Sequence, residues 1–307
     1  MSTVVGCSRN WFSLEGGVPG NVVGGIILEV RFWGTRGSIP SPGPETIKFG
    51  GNTTCVEVIL DDGTIFVFDA GTGIKKLGQH IVRQRKSGTI HLFFTHSHWD
   101  HIQGFPLFEP AYSRDFNIKI YCCPTVYQKL QHILITQMDS RYFPVKFSQL
   151  QSRITFHELI ANRMTINNAN LICIENNHPG GANGFRVDEN NRSVVFITDN
   201  ELMPKGNSGT QWKDFVKFCQ KADLLIHDAH YLPQEMNNTI GYGHSSYDQA
   251  LQLAKDAEVN YLLFFHHEPD RTDQQIEKIV DDYRQKIKKF DYNLKLDAAI
   301  EGSSYRI

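Results

Sequence analysis

The chain has 307 residues, 40% of them hydrophobic and 21% charged, and its 31 Lys and Arg against 33 Asp and Glu leave a net charge of −2. That composition excludes a collagen-like, low-complexity or disordered polymer. Charge so close to neutral supplies no long-range field, so a polyanionic partner has to be recognised locally.

A chain of this mass buries roughly three-quarters of its unfolded surface, enough for a core without covalent staples. The cysteines, Cys7, Cys55, Cys122, Cys123, Cys173 and Cys219, form no C-x-x-C pair and are too sparse for a disulfide scaffold. Their scatter points to a reducing compartment, with the cytoplasm as the default. No apolar run is long enough for a membrane span, and the opening residues lack the basic start and apolar stretch of a signal peptide. Residues 1–27 read as an N-terminal arm, either a homodimer arm or a disordered extension, and residues 28–307 as one domain.

From Leu28 onward, short runs rich in β-branched and aromatic residues recur: Leu28–Trp33, Cys55–Leu60 and Thr64–Asp69, the last two joined by a turn at Asp61, Asp62 and Gly63. A helical stripe of Ile74, Leu77 and Ile81 follows, then the strand Thr89–Thr95. Further helices are predicted over Val126–Met138, Gln211–Gln220, Tyr247–Ala257 and Asp273–Ile287. Strands are predicted over Ile118–Cys122, Leu171–Glu175, Ser193–Thr198, Asp223–His227 and Tyr261–Phe265. This mixed order fits a layered α/β sandwich of two mixed sheets with helices outside.

Most of the 13 histidines stand at the ends of predicted strands. The densest group, His96, His98, Asp100 and His101, directly follows the apolar strand ending at Thr95. His96 and His98, two apart, point to one side of an extended turn, while Asp100 and His101 open the next helix and point to an adjacent position, as two neighbouring cations would require. Burying four such side chains without coordination would cost several kcal/mol per unpaired group. Four ligands do not close two sites, and His178, Asp199 and His266, each just beyond a strand, are candidates for the remainder. His266 and His267 are adjacent, so only one can face the site, and strand alternation favours His266. His80, His91, His132 and His157 read as structural.

The segment THSHWDH (Thr95–His101) resembles the H-x-H-x-D-H signature of the metallo-β-lactamase-fold hydrolases, and FDAGTG (Phe68–Gly73), His178, Thr198–Asp199 and His266 follow in the family's order. The resemblance spans about residues 29 to 302 and implies the αββα four-layer sandwich. It also implies a binuclear site: His96, His98 and His178 on one metal, Asp100, His101 and His266 on the other, and Asp199 bridging them together with a water or hydroxide. Asp69 would orient the ligands from behind. The imidazole-rich set favours zinc, and the same ligands accept manganese or iron.

Two further segments resemble the phosphodiesterase branch, which includes the tRNA 3′-end processing nucleases and a class of cyclic nucleotide phosphodiesterases. HDAH (His227–His230) is similar to that branch's HEAT motif, with Asp in place of Glu, and GYGHSS (Gly241–Ser246) to its HST motif. The carry-over makes His244 a general acid and Asp228 its orienting partner, with Ser245 or Ser246 capping the helix beyond. The opening loop Trp33–Cys55 is similar as well, and there Arg36 and Lys48 read as substrate-phosphate ligands or as solvated loop charges. No long basic arm for gripping tRNA is present. The aromatics of Gly104–Tyr112 and Ser140–Phe147 read as pocket wall or plain core. The expectation is therefore a binuclear metal-dependent phosphodiesterase acting on a small phosphodiester, a nucleotide being one candidate, with nucleic acid not favoured. The alternatives are a carbon-ester hydrolase, a lactonase or thioesterase of the same fold, and a non-catalytic nucleic-acid-binding relative.

Overall fold

The computed structural model describes residues 28–207, 209–290 and 293–307. The expected arm, residues 1–27, lies outside them. The first half of the domain runs β1 (Glu29–Gly34), β2 (Cys55–Ile59), β3 (Ile65–Phe68), α1 (Ile74–Gln84), β4 (Gly88–Phe93), α2 (Trp99–Ile102), β5 (Phe116–Cys122), α3 (Pro124–Thr136) and β6 (Arg153–Glu158). The second half runs β7 (Arg163–Ile166), β8 (Ala169–Asn176), β9 (Ala182–Glu189), β10 (Arg192–Ile197), α4 (Trp212–Cys219), β11 (Leu224–Asp228), α5 (Tyr247–Asp256), β12 (Tyr261–Phe265), α6 (Asp273–Ile287), β13 (Lys295–Ala298) and β14 (Ser304–Arg306).

Two seven-stranded sheets result, ordered β14-β1-β2-β3-β4-β5-β6 and β13-β12-β11-β10-β9-β8-β7. Each is mixed. In the first, β1, β2, β3 and β14 pair antiparallel while β3 to β6 run parallel. In the second, β7 to β10 are antiparallel and β10 to β13 parallel.

Strand alternation sorts the layers. In β3, Phe66 and Phe68 face the other sheet, whereas Ile65 and Val67 join the layer of α1 and α3 through Ile74, Leu77, Val126 and Leu130. In β11 and β12, Leu224, Ile226, Leu263 and Phe265 point between the sheets, while Leu225, Leu262 and Phe264 meet Phe215, Tyr247, Leu253 and Ile276 of α4 to α6. Both faces are covered, so the central strands read as continuous apolar runs. The αββα sandwich expected from the sequence is the fold observed.

The strands missing from the sequence reading are β6, β7, β9, β13 and β14. Edge strand β6 carries Arg153, His157 and Glu158 exposed, and β9 (ANGFRVDE) has a polar composition that only its two antiparallel neighbours hold as a strand. β13 and β14 are four and three residues long, shorter than a periodic signal. The Cys123 and Cys173 sulfurs are paired in the layer between the sheets, a pairing that the reading of isolated thiols does not contain. Cys55, Cys122 and Cys219 are free and buried. Among the described residues no helix is long and apolar enough to cross a membrane.

Candidate active site

The predicted site residues all emerge at the carboxyl ends of β3, β4, β8, β10, β11 and β12 or in the loop before α5. In open parallel α/β sheets this is the edge where the loops between strands and helices gather functional groups. Asp69 and His266, each directly after a strand, and Asp199, one residue beyond the end of β10, take φ values of 62°, 59° and 51°. A non-glycine residue in the left-handed region costs of the order of 1 kcal/mol or more and is held there by its surroundings. Here the turn aims each side chain back over the strand end.

Two ligand groups meet at Asp199. His96, His98, His178 and Asp199 bring one donor atom each within 4.8 Å of one another, and so do Asp100, His101, Asp199 and His266. The Asp199 carboxylate divides itself between them. Its Oδ2 lies 3.6 Å from His96 Nε2 and 3.9 Å from His178 Nε2, and its Oδ1 lies 3.2 Å from both His101 Nε2 and His266 Nε2. Asp100 Oδ2 stands 3.1 Å from His101 Nε2 and 3.2 Å from His266 Nε2, and accepts the Ser38 N–H at 2.8 Å.

The hydrogen bonds behind these rings set their tautomers. Asp69, fully buried, accepts from His101 Nδ1 at 2.8 Å and from the Thr95 hydroxyl and N–H, each at 2.8 Å. The Thr95 hydroxyl oxygen, its proton spent on Asp69, accepts from His96 Nδ1 at 3.0 Å. His178 Nδ1 donates to the Gly243 carbonyl at 3.1 Å. In each ring the Nε2 lone pair is left facing the cluster. His96 Nε2 and His101 Nε2 are buried with no hydrogen-bond partner, although carboxylate oxygens stand nearby. His178 Nε2 meets His98 Nδ1 at 3.0 Å. Lone pairs and carboxylates pointing at common centres repel unless a cation sits among them, so the donor set fits divalent metal ions.

The electrostatics follow from the same crowding. Burial pushes the Asp199 carboxyl up, but His266, His101 and His96 outweigh it and hold it well below the carboxylate range. Burial pushes the His101 imidazolium down, but Asp100, Asp199 and Asp69 overcome it and raise it well above the usual value, so that without a cation a proton takes up the Nε2 lone pair. His96, buried beside His101, is pushed well down.

Beside both groups lies a dyad. His244 Nδ1 donates to Asp228 Oδ2 at 2.7 Å, and Asp228 Oδ1 accepts from the His230 N–H at 3.1 Å. Burial lowers the His244 imidazolium, but Asp228 outweighs it and carries the group up to about 9. The His244 ring lies 5.1 Å from that of His266 and 5.5 Å from that of His178. Ser246 caps α5 by accepting from Gln249 N.

The structure thus brings together His96, His98, Asp100, His101, His178, Asp199, His266, Asp228 and His244. His267 turns away, its Nε2 donating to the Ala299 carbonyl at 2.8 Å. Arg36 fits neither sequence reading. It is fully buried, and its guanidinium donates to the carbonyls of Gly50, Glu268 and Arg271, tying the opening loop to the segment after β12. Lys48 is an exposed charge paired with Glu277 at 2.6 Å. Phe105 and Phe108 are core, with Tyr112, Phe143 and Phe147 packed partly buried against it, and Tyr142 is exposed, as the plain-core reading has it.

Against known families, residues 64–267 match the model described as beta-lactamase superfamily domain. The chain belongs to that superfamily. This superfamily member is 25% identical to ribonuclease Z of Thermoplasma acidophilum over a 295-residue alignment that covers 81% of this chain and 89% of the relative. The metallo-beta-lactamase fold protein YhfI from Bacillus subtilis superposes with a TM-score of 0.66 at 16% identity, covering 92% of this chain and all 100% of that one. Human tRNase Z, short form, gives a TM-score of 0.61 at 21% identity, covering 90% and 98%. The family read from the motifs is therefore the family found, and two of these relatives carry the names ribonuclease Z and tRNase Z.

Sequence reasoning missed two contributors. Ser38 reaches Asp100 through its backbone N–H, which no side-chain pattern announces. His230 closes the HDAH motif, and its ring stacks on His244 at 4.6 Å and 20°. The signal was present: a histidine two residues after Asp228, beyond the same strand end.

Proposed function

We propose that this protein is a binuclear metal-dependent phosphodiesterase. In this reading His96, His98 and His178 hold one divalent cation, Asp100, His101 and His266 the second, and Asp199 spans the two. The observation that carries it is the Asp199 carboxylate, one oxygen turned to each histidine group. Zinc suits the imidazole-rich set, with manganese or iron as substitutes. When bound, the two cations supply a water nucleophile at neutral pH and neutralise phosphoryl charge.

The chain's own part is orientation and proton supply. Thr95 and Asp69 fix the ligand rings, and Ser38 N–H steadies Asp100. As the bond from phosphorus to the leaving alcohol oxygen breaks, His244 Nε2 gives that oxygen a proton, and Asp228 holds the resulting imidazole in place. A carbon-ester hydrolase has less need of such a dyad, since the collapse of its intermediate is less demanding of the leaving alkoxide.

The substrate reading is a small phosphodiester, such as a nucleotide. α3, β5 to β8 and four short 3-10 helices together take up most of the stretch between His101 and His178, which leaves little room there for a long gripping insertion. The likeness to ribonuclease Z favours a second reading, an RNA 3′ end. A cytoplasmic location belongs to the same proposal.

Elemental analysis of protein reconstituted with zinc should find two equivalents, falling in Asp199→Ala, and the loaded protein should hydrolyse bis(p-nitrophenyl) phosphate faster than p-nitrophenyl esters of carboxylic acids. A single equivalent unaffected by the substitution would overturn the binuclear centre, and the reverse substrate preference would overturn the phosphodiesterase.

A further inference from the structure

The His230 side chain has been given no chemical part so far, yet its ring stacks on His244, the proposed proton donor to the leaving group. It is 3% exposed. Its Nδ1 lies 2.9 Å from the His266 carbonyl oxygen, and a carbonyl only accepts, so Nδ1 carries the proton. In the neutral ring that leaves Nε2 as a bare acceptor, with no hydrogen-bond partner among the described residues. The ring is locked. It stacks on His244 at 4.6 Å and 20°, meets Tyr231 edge-on at 4.7 Å and lies 5.4 Å from His266. One nitrogen each of His230, His244 and His266 come within 4.8 Å of one another, so His230 borders the mouth of the second ligand group.

The two stacked imidazoles have opposite hydrogen-bonding character. His244 gives its Nδ1 proton to Asp228 and, when protonated, presents an Nε2–H donor. His230 presents an acceptor. With nitrogens of the two rings within 4.8 Å of each other, a donor and an acceptor there can reach two oxygens on adjacent carbons, each through a hydrogen bond of about 2.8 Å. One is the leaving ester oxygen, which takes the proton of His244. The other is a hydroxyl that donates to His230 Nε2. We propose that His230 recognises the hydroxyl vicinal to the leaving oxygen, so that the substrate is a phosphodiester whose leaving alcohol is a 1,2-diol, as in a ribonucleoside 3′-oxygen with its free 2′-hydroxyl.

This rests on the phosphodiesterase reading and narrows it: a ribonucleotide ester is accepted, whether small or at an RNA end, and its 2′-deoxy counterpart is disfavoured. A hydrogen bond between neutral partners is worth roughly 3–10-fold in binding or rate.

The test compares the metal-loaded enzyme on the dinucleoside monophosphate UpU and on its counterpart lacking the 2′-hydroxyl of the leaving nucleoside, with bis(p-nitrophenyl) phosphate as a substrate that has no such hydroxyl. Wild type should favour UpU by roughly 3–10-fold in kcat/KM. His230→Leu should erase the preference while retaining metal and turnover of the nitrophenyl ester, and His230→Gln, whose amide oxygen is again an acceptor, should restore part of it. Calorimetric binding of uridine against 2′-deoxyuridine reads the same preference without turnover, and serves if His230→Leu fails to fold. Equal wild-type rates and affinities for the two would overturn the inference, as would a His230→Leu variant slowed equally on both, which would make His230 only a buttress for His244. Failure of the phosphodiesterase reading is distinguishable, because wild type would then leave the nitrophenyl diester uncleaved as well.

Discussion

At the scale of single residues, the same side-chain type serves opposite ends according to what its second nitrogen meets. His101 and His96 each give Nδ1 to an oxygen behind them and turn Nε2 forward to the cluster, while the Asp228 carboxylate behind His244 carries its imidazolium up to about 9. On the proposed reading, protonation of the leaving oxygen is the step that depends on His244. On a dialkyl phosphodiester His244→Ala should lose roughly 10²–10⁴ in turnover with both metals retained. On bis(p-nitrophenyl) phosphate, whose phenolate leaves without a proton, the loss should be far smaller, and Asp228→Asn should repeat the pattern more weakly. Steady-state kinetics on the two substrates check this, and equal losses would assign His244 to substrate binding instead. Arg36 shows the opposite case, a charge whose work is structural. Four of its five N–H groups satisfy three carbonyls from two distant segments. Arg36→Met keeps the volume and removes the donors, and it should cost roughly 3–5 kcal/mol in urea unfolding, the penalty of leaving such acceptors unpaired.

At the scale of elements, parallel strands deliver the ligands and the loops between them have little spare room. β3 and β4 pair in register up to Phe68 and Phe93, and β11 and β12 up to Asp228 and Phe265, so that Asp69, the His96 loop, Asp228 and His266 all appear at one edge. The opening loop closes over that edge, bonding Gly37 N–H to the His267 carbonyl at 2.9 Å. A Cβ on Gly37 would run into the His266 ring. Gly37→Ala should therefore displace one ligand without touching the core, weakening the second metal about 10–100-fold, the range seen when ligand orientation is disturbed. Metal titration by competition with a chromophoric chelator would show one site weakened and the other intact. A uniform loss in both would place the loop's role elsewhere.

At the scale of the whole molecule, the site sits where the two sheets meet, with His96, His98, Asp100 and His101 from the first half and His178, Asp199 and His266 from the second. A metal held there would bridge the halves, and its binding free energy would also be free energy of holding them together. Chelation leaves carboxylates and imidazole lone pairs facing one another in a buried space. The melting temperature should fall on adding chelator and recover on adding zinc, with a concentration-dependent shift of about 2.7 kcal/mol at a hundredfold excess of metal over Kd. Scanning calorimetry at several zinc concentrations measures it. A melting curve indifferent to metal would mean that the histidine cluster is held by the protein alone.

The sequence by itself determined the family, the layer architecture and the candidate ligands, because each rests on local patterns. Apolar runs fully buried on both faces mark central strands, and a histidine immediately after such a run can only sit at the strand's carboxyl end. The motif order then carries the resemblance from one strand end to the next. It did not reveal β6, β7, β9, β13 and β14, whose polar or very short segments become strands only through their neighbours' hydrogen bonds. Nor did it reveal the work of Arg36, since the carbonyls it binds belong to segments more than 230 residues apart from it in part. The left-handed turns at Asp69, Asp199 and His266 were equally hidden, because nothing in a non-glycine residue type announces a conformation that surrounding packing imposes. The resemblance implied Asp199 between the two groups, but tertiary structure alone decided which oxygen turns to which histidines, and it alone decided the stacking of His230 on His244. Both depend on distances between strand ends from separate parts of the chain, which the sheets bring within a few ångströms and which no spacing along the sequence encodes.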